Sequence, residues 1–356
     1  MALPLPFLNS ASRKKRAQMI AVDLGSRTTK ACLFERRGEI LALTRYALLD
    51  APIFEKKISP EQLGDHLRSV VEALGNSTKY VIIAVGLDDA VVRQVELPQI
   101  PVDEMRRILK VNHKNYLQQD LPNHVFDCYI IPPRAASPAD KNAGAPKLKV
   151  LTAAAKQQLV NDFVKATQLA GLTAECLLPG VIGPINAFEQ ALPEIYAKET
   201  VALVDIGFKH TSVCVLDRGE LALTRLVNIG GDKLTVGLAE AMGISYAEAE
   251  GIKVGMAPEV EAALQMQVIP LGREIRASLD FFEHQHDRPV SQVFLGGASA
   301  RSDMISQMLH GELLLECKTW NPTGFLQLAL PGQQAVEVEH IGPQLTVAIG
   351  AALAAF

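Results

Sequence analysis

The feature that most constrains this chain is a short segment that occurs twice. Met19-Ile-Ala-Val-Asp23-Leu-Gly25-Ser-Arg-Thr-Thr-Lys30 is matched by Val201-Ala-Leu-Val-Asp205-Ile-Gly207-Phe-Lys-His-Thr-Ser212. In each copy an apolar run ends in Asp-x-Gly, polar residues follow, and a second apolar run begins. The likeness continues downstream, where Arg37-Gly-Glu-Ile-Leu-Ala-Leu-Thr-Arg45 is echoed, one residue shorter, by Arg218-Gly-Glu-Leu-Ala-Leu-Thr-Arg225. A strand, a Gly turn and a returning strand therefore appear twice, which predicts a duplicated domain with two hairpins gripping one ligand. Glycine allows positive φ and close backbone approach, so a row of N–H groups can face phosphate oxygens. An Asp at the strand end is placed to hold hydrated Mg²⁺, a cation that keeps several waters and few protein ligands. One such turn alone reads as an ordinary hairpin; two at matching places point to a nucleotide.

Composition narrows the partners. A chain of 356 residues has room for two domains. A net charge of −4 and 5% aromatic residues give neither the basic field nor the stacking platform of a nucleic-acid binder. The five cysteines (Cys32, Cys128, Cys176, Cys214, Cys317) are far apart and form no C-x-x-C, which predicts free thiols in a reducing compartment and no structural metal. No apolar run reaches the ~18 residues that span a bilayer. The apolar end, 345–356, predicts a buried helix. Near the start, Leu3 to Leu8 precede the basic run Arg13-Lys14-Lys15-Arg16, the reverse of a secretory signal. A cytoplasmic protein is expected, its tail (1–18) either touching an anionic membrane surface or simply solvated.

Periodicity predicts alternating strands and helices, hence α/β layers with a cleft between two halves. Helices are expected over 60–74, 102–117, 157–170, 184–192 and 268–284. Strands are expected over 80–85, 90–97, 125–131, 149–155, 173–178 and 291–295. Residues 132–146 carry Pro, Ala, Ser, Asp and Gly without periodicity and read as an exposed loop.

In their order, these motifs resemble the actin, sugar kinase and Hsp70 superfamily of two-lobed ATP-binding proteins. The resemblance implies that Asp23, Gly25, Ser26, Arg27, Thr28 and Lys30 wrap the β- and γ-phosphates. Asp205, Gly207, Phe208, Lys209, His210 and Thr211 would wrap the other side. Gly230, Gly231 and Asp232 resemble the Gly-Gly turn of the second lobe. Glu250 and Lys253 match a pair that contacts the ribose and adenine edge, and Gly296, Gly297 and Ala298 resemble the adenosine turn. ATP and Mg²⁺ are the implied cofactors, with Asp23 and Asp205 holding the metal through water. The stretch after Leu97-Pro-Gln-Ile-Pro101, together with Leu151-Thr-Ala-Ala-Ala-Lys-Gln157 and Arg273-Glu-Ile-Arg-Ala-Ser-Leu-Asp-Phe-Phe282, is similar to the PilM family of type IV pilus assembly proteins. FtsA-type cell-division proteins share the inserted subdomain but are usually longer and finish in a membrane-binding helix.

The implied layout is a first actin-like lobe over 19–192 with an insert over 98–149, and a second lobe over 193–356. The implied partners are the N-terminal cytoplasmic tail of a PilN-like membrane protein and the pilus inner-membrane complex, with the chain peripheral to the inner face of the inner membrane. A sugar kinase of the same superfamily needs a catalytic Asp. Asp88, Asp89 and Asp162 are the candidates, and all three read better as turn and surface charges. Leu178-Pro179-Gly180-Val181 lacks the polar group that relatives carry near the attacking water, so hydrolysis is expected to be slow or absent.

Overall fold

The computed structural model describes residues 16–52, 58–75, 78–86, 88–132, 147–255 and 260–354. Most of the expected tail and nearly all of the loop over 132–146 lie outside them. The first half opens with β1 (Gln18–Leu24), β2 (Thr28–Arg37) and β3 (Ile40–Asp50), followed by α1 (Pro60–Leu74) and β4 (Tyr80–Val85). Next come β5 (Ala90–Pro98), α2 (Val102–Leu117), β6 (His124–Ile130) and β7 (Lys147–Lys156). It ends with α3 (Gln157–Leu169), β8 (Thr173–Pro179), α4 (Ile182–Ala191) and α5 (Pro193–Lys198). The second half runs β9 (Thr200–Ile206), β10 (Thr211–Asp217), β11 (Glu220–Val227), α6 (Gly231–Met242), α7 (Tyr246–Gly255) and α8 (Glu261–His286). It continues through β12 (Gln292–Gly296), α9 (Asp303–Leu313), β13 (Glu316–Thr319), β14 (Gln327–Leu328) and α10 (Gly332–Leu353).

Local chemistry sets the boundaries. Helix α1 starts at a reciprocal capping box between Ser59 and Gln62 with Pro60 in its first turn, and stops at Gly75 with φ 57°. Its buried Leu63, Leu67, Val70 and Leu74 form the single apolar stripe of a surface helix. Helix α10 is buried on all sides from Ile341 to Ala352, as a helix apolar all round must be.

The duplication is visible in the sheets. One has the order β14-β3-β2-β1-β4-β8, the other β11-β10-β9-β12-β13. Without β14 the two orders are equivalent: an antiparallel trio, then two strands added in parallel. Both hairpin tips are two-residue turns, and the second hairpin is shorter along its strands. The turn lies at Gly38-Glu39 in the first copy and at Arg218-Gly219 in the second.

Packing crosses the expected division at residue 193. Strand β14 pairs with β3, and Val338, Ile341 and Leu345 of α10 join the core of the first sheet. Helix α4 lies between α10 and the second sheet, with Phe188 edge-on to Phe294 (4.7 Å) and Trp320 (5.3 Å). The opposite face of the second sheet packs under α6, α8 and α9 in a separate core. The three-stranded sheet β5-β7-β6 uses Ala90 to Lys156, flanking residues 98–149 on both sides, around a small core of Leu97, Met105, Leu109, Cys128 and Val150. That sheet also touches the second half. Arg93 Nη1 donates to Thr224 Oγ1 (2.9 Å), Thr224 Oγ1 donates to Val92 O (2.9 Å), and Lys149 pairs with Glu220 (3.1 Å).

Candidate functional site

Asp23 and Asp205 occupy equivalent registers. Asp23 lies opposite Lys30 on β2 and Ala84 on β4; Asp205 lies opposite Ser212 on β10 and Gly296 on β12. Each strand then turns through four residues, 25–28 in one copy and 207–210 in the other. Neither Gly25 nor Gly207 uses positive φ; both are needed for close approach. A Cβ on Gly25 would lie 2.6 Å from Thr28 O and 2.7 Å from Lys30 Nζ, and one on Gly207 would lie 2.8 Å from His210 O.

The charges of the two halves meet on Lys30. Its Nζ donates to Asp23 Oδ2 at 2.9 Å. Burial works against the ammonium, but Asp23 and Asp205 together outweigh it and hold the pKa above the usual lysine value. Burial lifts the Asp205 carboxyl to about 6 against the pull of Lys30, and Asp23 adds repulsion. The carboxylates of Asp23, bonded to Lys30, and of Asp205, within electrostatic reach of it, are oxygen donors of the kind that suits Mg²⁺ with most of its waters retained. Among the protein's own groups, Lys30 supplies the positive charge.

The second turn is braced by the helix behind it. Gly231 N–H donates to Gly207 O (2.8 Å) and Asp232 N–H to Phe208 O (2.9 Å), so carbonyls of the turn cap the start of α6. A Cβ on Gly230 would lie 2.3 Å from Phe208 O. The Gly-Gly pair and the first amides of α6 thus hold the turn itself. Thr211 is likewise committed, its hydroxyl donating to Ile229 O at 2.7 Å. Ser26, Lys209 and Ala298 are exposed, and His210 is half-buried with its Nδ1 unbonded.

Glu250 and Lys253 come together on α7, but they bind each other first. Lys253, only 3% exposed, donates to Glu250 Oε2 (2.8 Å), Thr235 Oγ1 (2.7 Å) and Gly231 O (3.1 Å), which uses all three of its protons. Burial lowers its pKa in spite of Glu250. Of the pair, Glu250 is the more exposed member and also accepts from Thr235 of α6, and Lys253 ties α7 to the start of that helix.

Gly296 and Gly297 close β12 beside Asp205. Gly297 has φ 88°, its N–H donates to Pro343 O (2.8 Å), and a Cβ there would lie 2.4 Å from Ile206 O and 2.6 Å from Asp205 Oδ1. The protein's own backbone therefore demands this glycine, whatever packs outside it. At the end of the first sheet, Leu178, Val181 and Ile182 are buried, and Gly180 N–H bonds Val85 O at 2.6 Å. Asp162 accepts from Gln158 on the exposed face of α3, and Asp89 lies in the turn bonded to Gly86 O.

Tyr246 was not legible as a site residue. Its hydroxyl donates to Asp232 Oδ1 (2.8 Å) and accepts from Arg27 Nη1 (3.1 Å), joining the first turn to α6 and α7. The available signal was the Ser245-x-x-Glu248 capping box, which fixes where α7 begins and so where Tyr246 points.

With this geometry in view, a family model described as type IV pilus assembly protein PilM matches residues 21–356. The chain belongs to that family. A solved PilM–PilN type IV pilus biogenesis complex is similar over 97% of this chain and 99% of its own, with a TM-score of 0.80 and 21% identity. MreB5 of Spiroplasma citri, solved with bound ADP, shares the fold at a TM-score of 0.53 and 10% identity, over 96% of each chain. Cell division protein FtsA of Bacillus subtilis (strain 168) is 25% identical over 168 residues, 44% of this chain and 36% of that protein. The match thus spans about a third of the length of that curated relative. The fold is the duplicated actin-like one, and FtsA is a distant relative.

Proposed function

We propose that this protein is an ATP-binding scaffold of type IV pilus assembly that works in the cytoplasm, at the inner face of the inner membrane. The observation that carries the reading is the pair of Asp-x-Gly turns at equivalent registers, with Lys30 bonded to Asp23 and felt electrostatically by Asp205. A site that already demands positive charge near two carboxylates fits hydrated Mg²⁺ beside a nucleotide's phosphates. Asp23 and Asp205 would hold the metal through water. Residues 25–30 would face the β- and γ-phosphates from one side and 207–210 from the other. Glu250 and the turn at Gly296, Gly297 and Ala298 would border ribose and adenine. Bound Mg-ATP would supply the charges that draw the two lobes, 19–192 and 193–356 in outline, onto one ligand.

The partner in this reading is the short N-terminal cytoplasmic tail of a PilN-like membrane protein, and through it the pilus inner-membrane complex. The likeness to a PilM–PilN complex over nearly the whole chain supports it. An extended peptide suits the insert, whose outer strand β6 borders the three-stranded sheet beside the first lobe. Nucleotide and peptide are coupled if both favour the same closed state. The apolar lining at Leu178 and Val181 offers no group to orient water, so the nucleotide acts by occupancy. The test is chromatography of nucleotide released from the purified protein, with titration of a PilN-like N-terminal peptide with and without Mg-ATP. Adenine nucleotide in the protein and tighter peptide binding with Mg-ATP are expected; a nucleotide-free protein that binds the peptide equally well in both cases would overturn the reading.

A further inference from the structure

Arg27 stands where a phosphate-binding turn would ordinarily carry a small residue, and its side chain does not point back into its own lobe. The guanidinium lies 5.1 Å from the ring centre of Phe208 on the opposite turn and 5.7 Å from that of Tyr246. Nη1 donates to Tyr246 Oη at 3.1 Å, and Tyr246 in turn donates to Asp232 Oδ1 at 2.8 Å. Glu250 and Lys253 also feel the charge of Arg27. One residue of the first turn is thus held by two aromatic faces and a hydroxyl of the second half, across the mouth of the cleft. The same turn is anchored behind, where Ala51 N–H bonds Arg27 O at 2.8 Å. Arg27 therefore joins the first turn, itself tied just past the end of β3, to the second turn and to the start of α7.

We propose that Arg27 is a clasp that joins the two lobes and must let go for a nucleotide to enter or leave. The inference rests on the nucleotide reading above for its ligand, but the clasp itself is made of protein groups alone. The cation–π contacts are exposed, and the one hydrogen bond, although its guanidinium donor is charged, is also exposed and screened by solvent, so the clasp opens readily. Its loss speeds passage in both directions. A residue that merely bound phosphate would behave differently: its loss would speed departure without speeding arrival.

The test uses the full chain and N-methylanthraniloyl-ADP as the probe, with wild type, Arg27→Ala and Tyr246→Phe. Stopped-flow association and dissociation rates are expected to rise together, about three- to tenfold in Arg27→Ala and less in Tyr246→Phe, which keeps the ring. Without any nucleotide, hydrogen exchange at the Gly231 and Asp232 amides is expected to quicken in Arg27→Ala, because the turn that caps them loses its tether, while β4 and β8 stay unchanged. Slower association in Arg27→Ala, or unaltered exchange at those two amides, would overturn the clasp. If wild type fails to bind the probe, the nucleotide reading falls, and the exchange experiment still decides the clasp.

Discussion

Gly183 and Gly350 meet backbone to backbone where α4 crosses α10. A Cβ on Gly350 would lie 1.7 Å from Gly183 O, and one on Gly183 would lie 2.5 Å from Val347 O. Asn186 reinforces the crossing by donating to Gly350 O at 3.2 Å. Helix α4 leads into the second half and α10 returns to the first, so this crossing is the axle between them. Gly350→Ala is expected to destabilise the protein by at least about 3 kcal/mol in denaturant titration, because a buried helix pair with backbone contact has nowhere to move. Gly251→Ala is the control. Its Cβ would meet open space on α7, and it should stabilise by about 0.5–1 kcal/mol.

A second expectation concerns the insert. Arg106 on α2 contacts Asp127 of β6 through Nε (2.8 Å) and Nη2 (2.7 Å), and Asp127 is 3% exposed. Arg106→Ala removes the cation from that carboxylate, which still accepts from Cys128 N–H at 2.8 Å. A loss of about 2–3 kcal/mol is expected, discounted for the partial exposure of the arginine. Native-state hydrogen exchange should place the loosening in residues 90–130 and 147–156 and leave the second half unchanged.

Much of this was legible because it is local. The Asp-x-Gly repeat, the capping box of α1 and the period-2 strands are written in consecutive residues, and the paired registers of Asp23 and Asp205 follow from them. Other features depend on where distant segments meet. Nothing near residue 345 announces that α10 crosses α4; the match of Gly350 to Gly183 decides it. Lys253 reads as a ligand-facing cation until α6 supplies Gly231 O and Thr235 to absorb it. Gly297 reads as space for a base, yet Ile206 O already fills the place of its side chain.

Acid should weaken the cation site in a defined window. The Asp205 carboxyl titrates near 6 in the folded protein, raised by burial, whereas an unfolded Asp titrates near 3.9. Sign follows from this: Asp205 binds its proton more tightly when folded, so its contribution to stability is present below about 4 and is lost as pH rises through 6. A bound cation needs the ionised form. Mg-nucleotide affinity is therefore expected to fall below pH 6, by up to about tenfold per unit. Asp205→Asn should flatten that profile and stabilise the ligand-free protein at pH 7–8. Fluorescent-nucleotide titrations and melts from pH 5 to 8 read both effects.

Turnover should be slow. Without an orienting or general-base group, which typically contributes about 10²–10⁴-fold, phosphate release is expected well below about 1 per second, with or without the partner peptide. A sustained rate at or above that value would reveal a catalytic residue that Leu178, Gly180 and Val181 do not supply.

The central claim, that two equivalent carboxylates hold a metal-bound nucleotide between them, is tested most directly by calorimetric titration of ATP with and without Mg²⁺. Wild type, Asp23→Asn and Asp205→Asn are compared. Wild-type affinity should rise when Mg²⁺ is present. Each variant should bind Mg-ATP at least about tenfold more weakly, about 1.4 kcal/mol, and lose the metal dependence. Wild-type affinity and undiminished metal dependence in both variants would contradict the account.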